Sequence, residues 1–159
     1  YDDMNINIGI SKENQKAIAD KLNKVLADEF VLYVKTRNYH WNVESINFSE
    51  LHDFYQEQYE SLAEEIDAVA ERVRKIGHYS MGRLEDYLKV TSLEEQKTTT
   101  DPKEQLTNLL NDHESIIRDL RELIPDLEDK YNDVGSADFI TGLLQVHEEI
   151  AWKLRSHLK

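Results

Sequence analysis

The sequence predicts an all-α fold: a four-helix bundle with a short extra helix in the long crossover between helices 2 and 3. Three observations predict it. Only 5 Gly and 2 Pro interrupt 159 residues, so few positions can break a helix or make a tight turn. Charged residues make up 32% of the chain, and Glu, Lys, Leu and Ala are common, a mixture that favours long helices over sheet. Apolar residues recur at helical spacing in four long stretches.

Taken in order, Ser11 can cap a first helix. Ile18, Leu22, Val25, Leu26, Phe30, Tyr33 and Val34 form its apolar face, and the pattern runs to about Trp41. A second helix begins near Phe48. Leu51, Tyr55, Tyr59, Leu62, Ile66, Val69, Val73 and Ile76 mark its buried side, and Gly77 ends it. At ~1.5 Å per residue each of these helices is about 40 Å long. Residues 78–101 hold Gly82, a short helical possibility from Arg83 to Lys89, and a Thr run at 98–100. That is too long for a tight hairpin and suits a crossover along the bundle. Asp101-Pro102-Lys103-Glu104 restarts a helix with a cap, a proline at the first position and an acid at the third. Leu106, Leu109, Leu110, Ile116, Ile117, Leu120 and Leu123 continue it until Pro125 kinks it or ends its regular part. Gly135-Ser136 separates a last helix, with Phe139, Leu143, Ile150, Leu154 and Leu158 inward. Residues 1–159 read as one domain, with 1–10 a short N-terminal extension.

Composition narrows the function. Cysteine is absent, which removes disulfides and thiolate metal sites. No apolar run approaches the ~18 residues of a membrane span. The first residues have neither the basic nor the apolar region of a signal peptide, so the expected compartment is the cytoplasm. The net charge of -13 repels nucleic-acid phosphates and attracts cations.

The acids are not evenly spread. Between Arg37 and Arg72 there is no Lys or Arg, and nine acids fall in that window. Six of them, Asp53, Glu57, Glu60, Glu64, Asp67 and Glu71, follow one another at steps of four or three residues. They therefore keep to one stripe of the second helix. Like charges at this spacing oppose the helix by a few tenths of a kcal/mol per pair. Bound cations would relieve them; spacing alone is equally compatible with a solvated acidic face. His40, ending the first helix, and His52, opening the second, tip the balance. Imidazole with carboxylates and no thiolate suits iron, manganese or zinc. Yet Asp67 follows His52 by fifteen residues, roughly 22 Å along one helix. One chain cannot close a site from both; a second copy packed antiparallel about a two-fold axis can.

Several segments resemble the Dps mini-ferritins: Asn38-Tyr39-His40-Trp41-Asn42-Val43, then Phe48, Leu51-His52, Phe54 and Tyr59, then Asp67 with Ala70-Glu71-Arg72. Ala137-Asp138-Phe139, His147-Glu148 and Trp152-Lys153-Leu154-Arg155 resemble that family's last helix. The resemblance implies a ferritin-like bundle assembled as a homo-oligomer, a dodecameric hollow shell. It implies oxidation of Fe(II), preferably by hydrogen peroxide, at an iron centre between subunits with one or two metal positions, and storage of Fe(III) oxyhydroxide. Zinc or manganese are possible substitutes for iron. By position His40 and His52 match the ferroxidase ligands of one subunit, and Asp67 and Glu71 those of its two-fold partner. Trp41 matches the tryptophan beside that centre. Asp53 and Glu57 match acidic positions on the cavity wall, with Glu60 and Glu64 extending the stripe. Asp138, and less closely Asp133, match the lining of three-fold pores. Ser45 stands where the family usually has Gly, and Gln56 where some relatives add an Asp; the second metal position is the one this puts in doubt.

Three other readings compete. A larger ferritin would need Glu three residues before a His, and those positions hold Arg37, Ser49, Lys75, Leu110, Leu144 and Leu154. A DNA-coating member of the same family needs basic tails, and residues 1–10 contain no Lys or Arg. A structural shell without oxidase activity would not need all four ligand positions filled. Among the remaining histidines, His113 and His147 fall on bundle-facing stripes and read as packed residues, while His78 and His157, near helix ends, read as solvent-facing. Trp152 reads as a packed or interface residue.

Overall fold

A computed structural model describes residues 5–159. Asp2 and Asp3, part of the expected N-terminal extension, lie outside the described residues. The elements are α1 (Lys12–Asn42), α2 (Phe48–Lys75), α3 (Leu84–Val90), α4 (Pro102–Pro125), a π-helical turn (Asp126–Lys130) and α5 (Val134–His157). No strand occurs among the described residues. The all-α bundle with a short helix in its crossover is what forms.

Local chemistry sets the ends of these helices. Ser11 accepts a bond from the Asn14 amide at 3.1 Å and opens α1. Gly77 closes α2 in the left-handed region, at φ +94°. Its amide reaches the Arg74 carbonyl at 3.0 Å, and the His78 amide reaches Val73 at 3.2 Å. This pair of bonds satisfies carbonyls that no further turn covers. Asp101 caps α4 by accepting from the Glu104 amide at 3.0 Å. The Glu104 carboxylate does not return to the cap's own amide. It accepts from the Thr99 hydroxyl at 2.6 Å, and Thr99 Oγ1 in turn accepts from the Asp101 amide. Pro125 has no N–H to donate, and beyond it the chain widens into the π-helical turn, closed by the Tyr131 amide on the Asp126 carbonyl at 2.9 Å.

The structure corrects four expectations. Asp133, not Gly135-Ser136, marks the start of α5: its Oδ1 accepts from the Ser136 amide at 3.0 Å, so Gly135 and Ser136 lie in the first turn. Val34 is exposed, because the core stripe of α1 passes through Val31, Leu32 and Lys35 instead. Phe139 is half-buried and Ile140 takes the core position. His78 is buried at 4% exposure, because the α2 cap folds it inward.

Packing divides the bundle into two antiparallel hairpins, α1 with α2 and α4 with α5. The crossover joins them, and its α3 lies on α1, where Phe30 and Tyr87 stack with centroids 4.7 Å apart. Leu22, Leu26, Tyr55, Leu62, Leu109 and Ile140 are fully buried. Polar links stitch the seam between hairpins. The Tyr55 hydroxyl donates to Gln105 at 3.0 Å, Asn108 donates to the Tyr39 oxygen at 2.9 Å, and Arg72 Nε donates to Ser136 Oγ at 3.0 Å.

A buried ion pair on this seam joins Lys35 to Asp112, at 2.5 Å. Lys35 also donates to the Glu94 carbonyl at 2.8 Å, which ties the crossover down. Burial pushes the Asp112 carboxyl above its ordinary range and Lys35 opposes that rise. Removing only one charge leaves the other buried without a partner. Lys35→Met should therefore destabilise the fold by about 3–5 kcal/mol, and Lys35→Met with Asp112→Leu should recover most of it. Denaturant midpoints of the two variants measure the difference.

Candidate metal centre

The last carbonyls of α1 need partners outside the helix. The Val43 amide satisfies Tyr39, but the Glu44 amide turns to the Thr100 carbonyl at 3.0 Å. His40 O is thereby left for a side chain, and His52 supplies it: its Nδ1 lies 2.7 Å away. The arrangement is reciprocal, with His40 Nδ1 lying 2.6 Å from His52 O. A carbonyl oxygen only accepts, so both Nδ1 atoms carry a proton, and in a neutral imidazole Nε2 is then the atom with the lone pair. The rings stack at 3.7 Å with an interplanar angle of 13°. Two imidazoles from two helices are thus fixed in orientation by bonds to the opposite backbone.

Aromatic side chains frame the pair. Phe48 stacks on His52 at 4.9 Å, and Tyr59 meets His40 edge-on at 5.1 Å. Arg37 lies over the Tyr59 ring at 4.2 Å and donates to the Tyr33 hydroxyl at 2.9 Å. His40 is buried, whereas Trp41 is 61% exposed and Ile46 fully so. The pair therefore lies beside partly exposed aromatic side chains, Phe48 among them.

All six acids of the stripe are exposed. None forms an ion pair among the described residues. Asp67 and Glu71 lie on the same helix as His52, roughly 22 and 28 Å further along. No three His, Asp or Glu side chains converge as a metal site among the described residues. One chain thus brings His40 and His52 together but not Asp67 and Glu71. Gln56, at the position of doubt, bonds to Glu60 at 2.9 Å. Asp138 is exposed near the start of α5. Asp133 is buried as that helix's cap, 3.6 Å from Arg72 Nη2. His157 stacks on Phe54 at 4.1 Å.

Sequence reasoning passed over one group of the interior. Glu29 of α1 is fully buried and both its carboxylate oxygens face His147 Nε2, at 2.7 and 2.9 Å. His147 Nδ1 lies 2.8 Å from His113 Nδ1. The two histidines are packed residues, as expected; the signal for Glu29 was its place on the apolar stripe between Leu26 and Phe30.

A ferritin-like domain model matches residues 19–159. The DNA protection during starvation protein of Brevibacillus brevis is 32% identical over 145 residues, covering 91% of this chain and 97% of that protein. A low temperature-induced protein of Nostoc is 44% identical over 97% of this chain and 87% of its own length. The chain is a Dps-family mini-ferritin. Among solved structures, the Dps protein of Vibrio cholerae superposes with a TM-score of 0.91 at 28% identity, each chain covered in full. It is described as a member of a broad superfamily of ferritin-like di-iron-carboxylate proteins. DpsC of Streptomyces coelicolor reaches 0.94 at 26% identity over 99% of this mini-ferritin and 92% of its own chain.

Proposed function

We propose that this mini-ferritin oxidises Fe(II) at a centre shared by two subunits and stores the product as Fe(III) oxyhydroxide inside a dodecameric shell. The observation that carries the reading is the reciprocal histidine–carbonyl lock, which engages each ring through Nδ1 and leaves Nε2 of both available as a ligand atom. In the proposed centre His40 and His52 of one subunit face Asp67 and Glu71 of a two-fold partner. The distance along α2 supports this division, since a single chain keeps the two halves roughly 22 Å apart. Family membership supports both the shell and the metal.

Iron is the substrate. The negative surface concentrates Fe(II), with Asp138 placed at the entry pores. Carboxylate oxygens favour the harder Fe(III), so the mixed donor set assists loss of an electron. Hydrogen peroxide is the proposed oxidant: two Fe(II) surrender one electron each and one peroxide accepts both. With two waters the products are two FeO(OH) and four protons. Asp53 and Glu57, exposed on the stripe, then hold Fe(III) where mineral begins. Consuming peroxide and iron together limits hydroxyl-radical formation. The charge of -13 opposes coating of DNA as the working mode.

Two measurements test this reading. The double variant His40→Ala/His52→Ala should assemble normally and lose at least about tenfold in peroxide-driven iron oxidation; a rate equal to that of the parent protein would refute the centre. Complementation tests its division between chains. An assembly mixing that variant with Asp67→Asn/Glu71→Gln should regain roughly a quarter of the parental activity, since random pairing across two-fold interfaces rebuilds that share of sites. Full inactivity of the mixture would place all ligands in one chain.

A further inference from the structure

The Glu29–His147–His113 chain lies near the middle of α1, α5 and α4 and is the most deeply buried polar link across the seam between the hairpins. All three side chains have no exposed surface. None of them is a proposed iron ligand, and iron oxidation makes no use of them.

We propose that these three residues form an acid-sensitive latch, closed at neutral pH and forced open when the core must accommodate more protons than its hydrogen bonds can use. The geometry limits the proton count. One proton is needed between Glu29 and His147 Nε2, and one between the two Nδ1 atoms. With these two the group carries one negative charge. A third neutralises it, making His147 an imidazolium paired with Glu29. His113 then accepts through Nδ1 and carries its own proton on Nε2, an atom with no hydrogen-bond partner. A fourth must either break the ring–ring bond or protonate the Glu29 carboxylate, and it leaves net positive charge in a buried core.

The surroundings offer no relief. Of the elements packed here, α1 contributes Glu29, α4 His113 and α5 His147. From α2, Glu65 is close enough to feel both Glu29 and His147, and Glu64 sits beside it. No Lys or Arg pairs with the three among the described residues. Burial, reinforced by charge on His147, holds His113 well below the ordinary histidine value. The unfolded chain binds a proton at this residue from pH ~6.5 downward, and the folded chain does not. Stability due to His113 is therefore complete above pH ~6.5 and is lost as pH falls below it.

The experiment compares the assembled parent protein with His113→Asn, which retains an amide to bond His147 but cannot titrate. Equilibrium unfolding is followed from pH 7.5 to pH 5. Below pH ~6.5 the parent's unfolding constant should rise about tenfold per pH unit more steeply than the variant's. Identical slopes in two folded proteins would overturn the latch. Histidine C2–H exchange, read residue by residue by mass spectrometry on the unaltered protein, decides the matter even where the variant fails to fold. His113 should show no titration near pH 6.5; a His113 that titrates there would overturn it equally.

Discussion

The stiffness of α2 governs this structure. An α-helix of 28 residues spans about 42 Å, and no rotation of side chains brings its two ends together. His52 sits in its first turns and Asp67-x-x-x-Glu71 in its last. Any chemistry that uses both must recruit a second copy, so assembly and activity are one problem in the proposed centre. The apolar surround of the histidine pair has the same consequence. Trp41, Ile46 and Phe48 are exposed in one chain and suit burial against another.

The histidine lock is equally a product of helix ends. His40 O is one of the carbonyls that α1 cannot satisfy internally, and it selects the His52 tautomer. The reverse bond selects the tautomer of His40. Placing a ligand at a helix terminus thus satisfies the backbone and prepares the metal-binding atom with the same hydrogen bond. The Thr98–Thr100 run takes part, because Thr100 O removes the Glu44 amide that would otherwise have covered His40. A segment that reads as low-complexity linker sets the geometry of the histidine pair.

Most of the fold was legible because it rests on local rules. Ser11, Gly77 and Asp101 act where their chemistry places them, and apolar spacing located all four long helices and the short one. The misplacements share a cause. Asp133-Val134-Gly135-Ser136 contains both a cap and a glycine, and the cap prevails because its carboxylate reaches the Ser136 amide. Val34 follows the apolar period but lies off the stripe that faces two neighbours at once. At the centre, residue types and spacing identified His40 and His52 as candidates. The carbonyl lock was not legible, since it depends on the loop from Val43 to Asn47 bringing two helix ends into register.

Glu29 was illegible for a different reason. A carboxylate on an apolar stripe reads as an error in the pattern until its partner is known, and His147 lies 118 residues away in the chain. Such a group is costly to bury alone and tolerable only when paired. Its retention in the middle of the bundle therefore demands a histidine in register on α5. That histidine in turn needs the lone pair or proton of His113 on α4. An apolar substitution at any one of the three leaves a buried polar neighbour without its partner. The seam between hairpins is consequently held by an arrangement that specifies alignment strongly, whereas the stripe acids of α2 stand exposed to solvent. The protein keeps its titratable groups in two settings, a wet stripe suited to cations and a dry triad suited to register.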